Sequence, residues 1–286
     1  MMLRGLCSLP VLLIAAGLNA AVVYDTLYIN KGSFEAVDTT YFTSYAFNDS
    51  AIFNQDNSRI FLQPGDSLYL TLINTDFFSH GVDITQTTGY SATVSASDTV
   101  TVACLFASRG IYICYGTTTY PDFRYLGLGA TIIVDDFFGS KFVWNIKDHL
   151  ASWNDSIDNG FTVNWLDYYP DYFTINGKSN PFINDDTVAR VSGGVGETMR
   201  IYIANSGQAV HSMHFHGYHL TVVKSSKYPT HAGRLKDTFP VESMQSLILE
   251  LTPDKLGEYP VHDHNVLSVT GGKVYPNGLF LTMLVE

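Results

Sequence analysis

The sequence predicts an all-β protein made of two sandwiches, on three observations. Tyr and Phe (18 each) and Gly (23) are plentiful while charged residues make up only 15%, a profile that suits many short strands joined by turns. Runs of alternating apolar and polar residues are short and bounded by turn-forming residues. The third observation is internal repetition. At 286 residues the chain has room for two domains, each with its own core.

The repeat is read directly from the residues. RIFLQPGDSLYLTLINTDFFSH (59–80) parallels RVSGGVGETMRIYIANSGQAVH (190–211), aligning Gly65 with Gly196, Asn74 with Asn205 and His80 with His211. In both copies a turn feeds an alternating strand that ends at an Asn and a loop. SRGIYICYG (108–116) parallels KLGEYPVHDH (255–264), and each copy closes on an apolar strand, ATIIV or FLTMLV. Short strands at this spacing, used twice, read as a pair of β-sandwiches.

From the N-terminus, residues 1–20 are expected to be a secretory signal. Arg4 supplies the charge, PVLLIAAGL the apolar run and Asn19-Ala20-Ala21 the small residues for cleavage. The run is too short to span a bilayer. Residues 21–136 form the first copy, 137–165 an aromatic connector and 166–286 the second copy. Once the signal and its Cys7 are gone, Cys104 and Cys114 remain, flanking the turn Ala107–Gly110. In an oxidising compartment such a pair invites a disulfide, although cross-strand neighbours lie at a marginal distance for one. A bridge and two free thiols both stay open. The net charge of -11 and the lack of Lys/Arg clusters exclude nucleic acid and anionic membrane surfaces as partners.

Chemistry concentrates in the histidines. HSMHFHGYHL (211–220) holds four of the nine in the chain, and VHDHN (261–265) adds two more. His214 and His216 are spaced i, i+2, so in an extended segment both rings face one side. His262 and His264 repeat the spacing. Two such pairs from adjacent strands can converge on one metal ion, and imidazole suits copper and zinc. His211, Asp237 and Asp263 are further candidates, as ligands or as partners that fix imidazole tautomers. His219 has the opposite parity, His231 sits in a loop, and His80 and His149 stand alone; none is expected to bind metal.

HSMHFHG resembles the His-x-x-His-x-His-Gly motif of the multicopper oxidases, and GEYPVHDHNVLSVTGGKVYPNGLFLTMLV resembles their closing motif. FTINGK and the DT of KDTF add to the likeness, which is strong over residues 165–286 and weak over 22–135. It implies two Greek-key cupredoxin sandwiches, as in two-domain copper oxidases and copper nitrite reductases, and a trimeric assembly. It also implies that the Cys of the blue type 1 copper falls at Asp263, its second His at Ser268 and its axial Met at Leu279. Only His211 of that ligand set remains, so no blue copper is expected. By the same resemblance His214 faces a type 2 copper and His216, His262 and His264 a type 3 pair. The aligned positions in the first copy are Asp83, Thr85, Tyr115 and Thr117, so that copy is expected to supply no ligand. Three functions follow: a secreted copper (or zinc) binder, an oxidoreductase with a mononuclear His-bound copper, or a structural module stapled by its metal.

Overall fold

The computed structural model describes residues 20–88 and 90–286; the expected secretory signal lies, but for Ala20, outside the described residues. The first sandwich comprises β1 (Val22–Glu35), β2 (Tyr41–Asn48), β3 (Arg59–Leu62), β4 (Asp66–Asn74), β5 (His80–Ile84), β6 (Ala92–Val94), β7 (Thr99–Phe106), β8 (Gly110–Gly116) and β9 (Gly129–Val134). They form one sheet in the order β2-β1-β4-β7 and a second in the order β3-β9-β8-β5-β6. Alternation places Leu68, Leu70 and Leu72 of β4 inward, against Val82, Ile84, Ile132 and Val134 of the other sheet.

The second sandwich repeats this plan with β10 (Ser140–His149), β11 (Tyr172–Ile175), β12 (Ser192–Gly193), β13 (Met199–Asn205), β14 (His211–Phe215), β15 (Leu220–Ser225), β16 (Leu235–Lys236), β17 (Thr238–Val241), β18 (Ser246–Leu251), β19 (Gly257–Asp263) and β20 (Phe280–Val285). Its sheets run β11-β10-β13-β18-β15-β16 and β12-β20-β19-β14-β17. The order is that of the first sandwich with β15 and β16 added beyond β18. Like β1 and β4, β10 and β13 pair in parallel. The turns before β4 and β13 use Gly65 and Gly196 at positive φ (98° and 81°), conformations that L-residues with a Cβ avoid. Trp144 anchors the core, stacked on Phe215 at 5.5 Å while its Nε1 donates to the Ala189 carbonyl at 2.6 Å.

Two expectations need correction. The segment 137–165 is not all connector. Its residues 140–149 are β10, the strand that joins two others of the second sandwich, and the following helix (Ala151–Asp158) covers the edge of β2, where Asn154 Nδ2 donates to the Thr43 carbonyl at 2.9 Å. The cysteines do not face each other across a hairpin. Cys104 on β7 pairs with Leu68 of β4, whereas Cys114 on β8 pairs with Ala130 of β9 in the opposite sheet, because the turn between β7 and β8 crosses from one sheet to the other. Both are free thiols, buried in the core, and burial pushes Cys104 up to about 11 and Cys114, also beside Asp83, up to about 12. Thermal unfolding of the native protein is therefore expected to be unchanged by reductant; a lowered midpoint would reveal a bridge.

The sandwiches meet face to face. Ile111, Ile113 and Ile133 of the first pack on Val143, Tyr202, Ala204 and Ile248 of the second. Beside this seam the buried Arg124 guanidinium donates to the carbonyls of Ser206 (3.0 Å) and Gly207 (2.6 Å), to Ser243 Oγ (3.1 Å) and to Gln208 Oε1 (2.5 Å). These bonds fix the β13–β14 loop, and with it the start of the histidine-bearing strand.

Candidate metal centre

Strands β14 and β19 run antiparallel side by side, with Met213 opposite Asp263, His214 opposite His262 and Phe215 opposite Val261. Pleating sends Met213, Phe215 and Val261 into the core and His214 and His262 outward, on one face of the sheet. His216 and His264 continue that face just past the strand ends. Gly217 then turns the chain at φ 79°; a Cβ there would lie 2.4 Å from the Tyr259 ring, so the glycine of the His-x-His-Gly run is required by packing.

The four rings gather closely. Centroids lie 4.7 Å apart for His214 and His216, 5.1 Å for His216 and His262, and 5.7 Å from His214 to both His262 and His264. The Nε2 atoms of His216 and His262 are 3.0 Å apart, close enough for one ion at roughly 2.0–2.1 Å from each. Among the described residues no three donors are already arranged as a single ion would hold them.

Tautomers support the fit. His262 Nδ1 donates to the Asp263 carbonyl at 2.8 Å, leaving its Nε2 a bare lone pair. His214 Nδ1 lies 2.9 Å from Thr238 Oγ1, which donates in turn to Asp237 Oδ1 at 3.0 Å. With that hydroxyl committed, His214 Nδ1 is the donor and its Nε2 is also bare. Asp237 thus reaches His214 through Thr238, a residue whose role the spacing did not indicate, although it lies in the DT of KDTF. Desolvation and the neighbouring His214 and His262 hold His216 below the usual imidazole range. The donor set of neutral imidazoles fits copper or zinc.

His211 and Asp263 face the other way, into the sandwich, because they sit on the inward parity of β14 and β19. They do not add to the quartet: His211 Nδ1 bonds Asp263 Oδ2 at 2.7 Å, and His211 Nε2 approaches Asp148 Oδ2 at 3.4 Å. All three side chains are fully buried. Burial alone would lower the imidazole pKa, yet the hydrogen bonds to Asp148 and Asp263 raise it to about 9. Burial would raise both carboxylates, but the bond from His211 holds each below the usual range. Asp148 also accepts from the Tyr168 hydroxyl and from the Gln208 (2.9 Å) and Ala209 (3.0 Å) amides, and Asp263 from those of Ser212 (2.9 Å) and Asn265 (3.0 Å). Ser268 and Leu279 are buried too. His211 and Asp263, two of the positions that the resemblance assigns to a type 1 copper, are thus tied with Asp148 into one buried cluster.

His80, His149 and His231 lie apart from the quartet. His80 bonds Asp76 at 2.9 Å, His149 is caged by Phe34, Phe42 and Tyr125, and His231 stacks on Tyr228 at 5.0 Å. In the first sandwich Val82 pairs with Gly116, Asp83 with Tyr115 and Ile84 with Cys114. This is the register of Met213–Asp263, His214–His262 and Phe215–Val261, so the first sandwich offers Asp83 and Tyr115 where the second offers two imidazoles. Cys114 aligns with Val261 and points into the core.

Residues 156–273 match the family model for multicopper oxidases. No curated protein matches the chain. Among solved structures it is similar to a blue copper oxidase from Nitrosomonas europaea (18% identity, TM-score 0.78, covering 93% of this chain and 86% of that one). It is also similar to the copper nitrite reductase of Nitrosomonas europaea (16%, TM-score 0.73, 93% and 94%) and to the copper nitrite reductase of Thermus scotoductus (18%, TM-score 0.73, 93% and 62%). Residues 156–273 are thus similar to a multicopper oxidase domain, and the chain that carries them has the fold of two cupredoxin sandwiches.

Proposed function

We propose that this is an exported copper-binding protein that holds its metal with His214, His216, His262 and His264 and has no blue type 1 copper. The observation that carries the reading is the 3.0 Å approach of two Nε2 atoms within a group of four outward-facing imidazoles. Two of the four have their Nδ1 atoms committed to Thr238 and Asp263, which supports ligation through Nε2. That the similar structures are copper oxidases and copper nitrite reductases favours copper over zinc. The thiolate that a blue centre needs has its place taken by Asp263. Export rests on the charged, apolar, then small-residue order of residues 1–20.

One observation favours an enzymatic version of the reading. A cavity of about 400 Å³ opens beside the rings, lined by His216, His262, His264, Val269, Tyr275 and Phe280. An ion held by the quartet would face it, leaving room for a small substrate.

The test is metal analysis with optical and paramagnetic spectra of the copper-loaded protein. One copper per chain, bound by nitrogen and only faintly coloured, is expected. Three coppers per chain, or an intense thiolate band that disappears in Cys114→Ser, would overturn the assignment. Absence of metal binding would leave a structural module.

A further inference from the structure

A cavity of about 800 Å³ opens on the first sandwich, lined by none of the four histidines of the quartet. It forms where three segments meet: the β4–β5 loop, the stretch that follows β8, and residues 157–165 at the end of the helix Ala151–Asp158 and beyond it. Five aromatic side chains line it: Phe78, Tyr120, Phe123, Phe161 and Trp165. Phe123 and Trp165 are braced by edge contacts with Tyr45 and Tyr125, each at 5.1 Å. Phe78 and Phe161 are 59% and 69% exposed. One exposed ring is unremarkable on a protein surface, but several around one concavity mark a binding site.

Two carboxylates reach this cavity, and their surroundings differ. Asp158 is already neutralised: Lys31 Nζ lies 2.7 Å from its Oδ1, and the Tyr45 hydroxyl donates to the same atom at 2.9 Å. Asp122 has no cation against it among the described residues. Arg124, two residues along, commits its guanidinium to the β13–β14 loop and covers one face of Tyr120 at 5.3 Å. Burial raises the Asp122 carboxyl above the usual carboxylate range, and only the Thr119 hydroxyl works against it. That is the behaviour of a partly desolvated carboxylate whose countercharge the protein does not supply.

We infer that the cavity binds a small organic cation with an apolar body, of the quaternary ammonium class. Aromatic faces attract such a cation through the ring quadrupole, and Asp122 supplies the opposite charge. The same carboxylate excludes an anionic ligand, and the net charge of -11 draws cations toward the chain. Hydrogen bonding argues for full alkylation of the nitrogen. Tyr45 and Asp158 are committed to each other and to Lys31, which leaves few partners for an N–H or for the hydroxyls of a sugar. An alkylated nitrogen needs none. The inference is independent of the metal reading.

Calorimetric titration of the full native chain tests it, with choline and with the neutral isostere in which a tert-butyl group replaces the trimethylammonium. Choline is expected to bind about tenfold more tightly than the alcohol and to change the emission of Trp165, which lines the cavity. Asp122→Asn should weaken choline by about tenfold and leave the alcohol as it was, which separates a lost charge from a damaged cavity. Phe161→Ala should weaken choline by about fivefold or more, and either variant decides the matter if the other misfolds. Equal affinity for choline and the alcohol would overturn the inference. So would no binding of choline at millimolar concentration, an affinity indifferent to both substitutions, or tighter binding of cellobiose than of choline.

Discussion

Replacing His211 by alanine is expected to cost about 3–5 kcal/mol of folding stability, because it strands two buried carboxylates without their cation. Asp148, His211 and Asp263 have no solvent exposure, so water cannot take over the lost bonds. The penalty belongs to the broken cluster, and an uncharged replacement of the whole cluster should be far less damaging. The combination His211→Leu, Asp148→Asn and Asp263→Asn is accordingly expected to lose less than the sum of the three single changes. The cluster also imposes a pH dependence. The folded pKa of His211 is about 9, above the roughly 6.5 of an unfolded histidine. Its contribution is therefore fully present below about pH 6.5 and is lost as pH rises through about 9. The interval corresponds to roughly 3 kcal/mol, in keeping with the cost of removing the ring. Denaturant unfolding of wild type and His211→Ala at several pH values checks both points. A variant that loses less than about 1 kcal/mol, the size of an ordinary hydrogen bond, would show that the buried ion cluster does not hold the end of β14.

What the sequence made legible was what local pattern controls. The i, i+2 spacing of His214 with His216 and of His262 with His264 gave the common face, since a strand has a period of two. The constant offset between the copies gave the register, and the pairing of Val82 with Gly116 and Met213 with Asp263 bears it out. What it hid depends on contacts far apart in the chain. Asp148 lay in a stretch read as connector because parallel pairing of β10 with β13 leaves no hairpin signal in the residues between them. Without Asp148, His211 and Asp263 looked like additional donors, when their parity turns them inward. The disulfide was weighed from a turn that does join β7 to β8, but a turn between sheets separates its flanking strands and a turn within a sheet pairs them. Thr238 was indistinguishable by type from any strand threonine; only the position of its hydroxyl between His214 and Asp237 gives it a role.

Removing the His262 ring is expected to reduce metal affinity more than any other single change, by about a hundredfold or more. Its Nε2 is the atom that approaches His216, and its centroid lies within 5.1–6.5 Å of all three other rings. Losing it removes one half of that close Nε2 pair. His214→Ala and His264→Ala should each weaken binding by about ten- to a hundredfold, since even partners that only orient a ligand are worth that much. Thr238→Val preserves all four rings and removes the hydroxyl that fixes the His214 tautomer, so a loss of about tenfold is expected there. His80 and His149 serve as comparisons. Both are buried in hydrogen-bonded or aromatic surroundings away from the quartet, and replacing them should lower stability without changing metal affinity. Calorimetric titration of the six variants with copper, alongside their unfolding midpoints, separates the two effects. Unchanged affinity in His262→Ala would place the metal elsewhere. Equal losses in His80→Ala and His262→Ala would mean that binding follows folding in general and does not depend on this cluster.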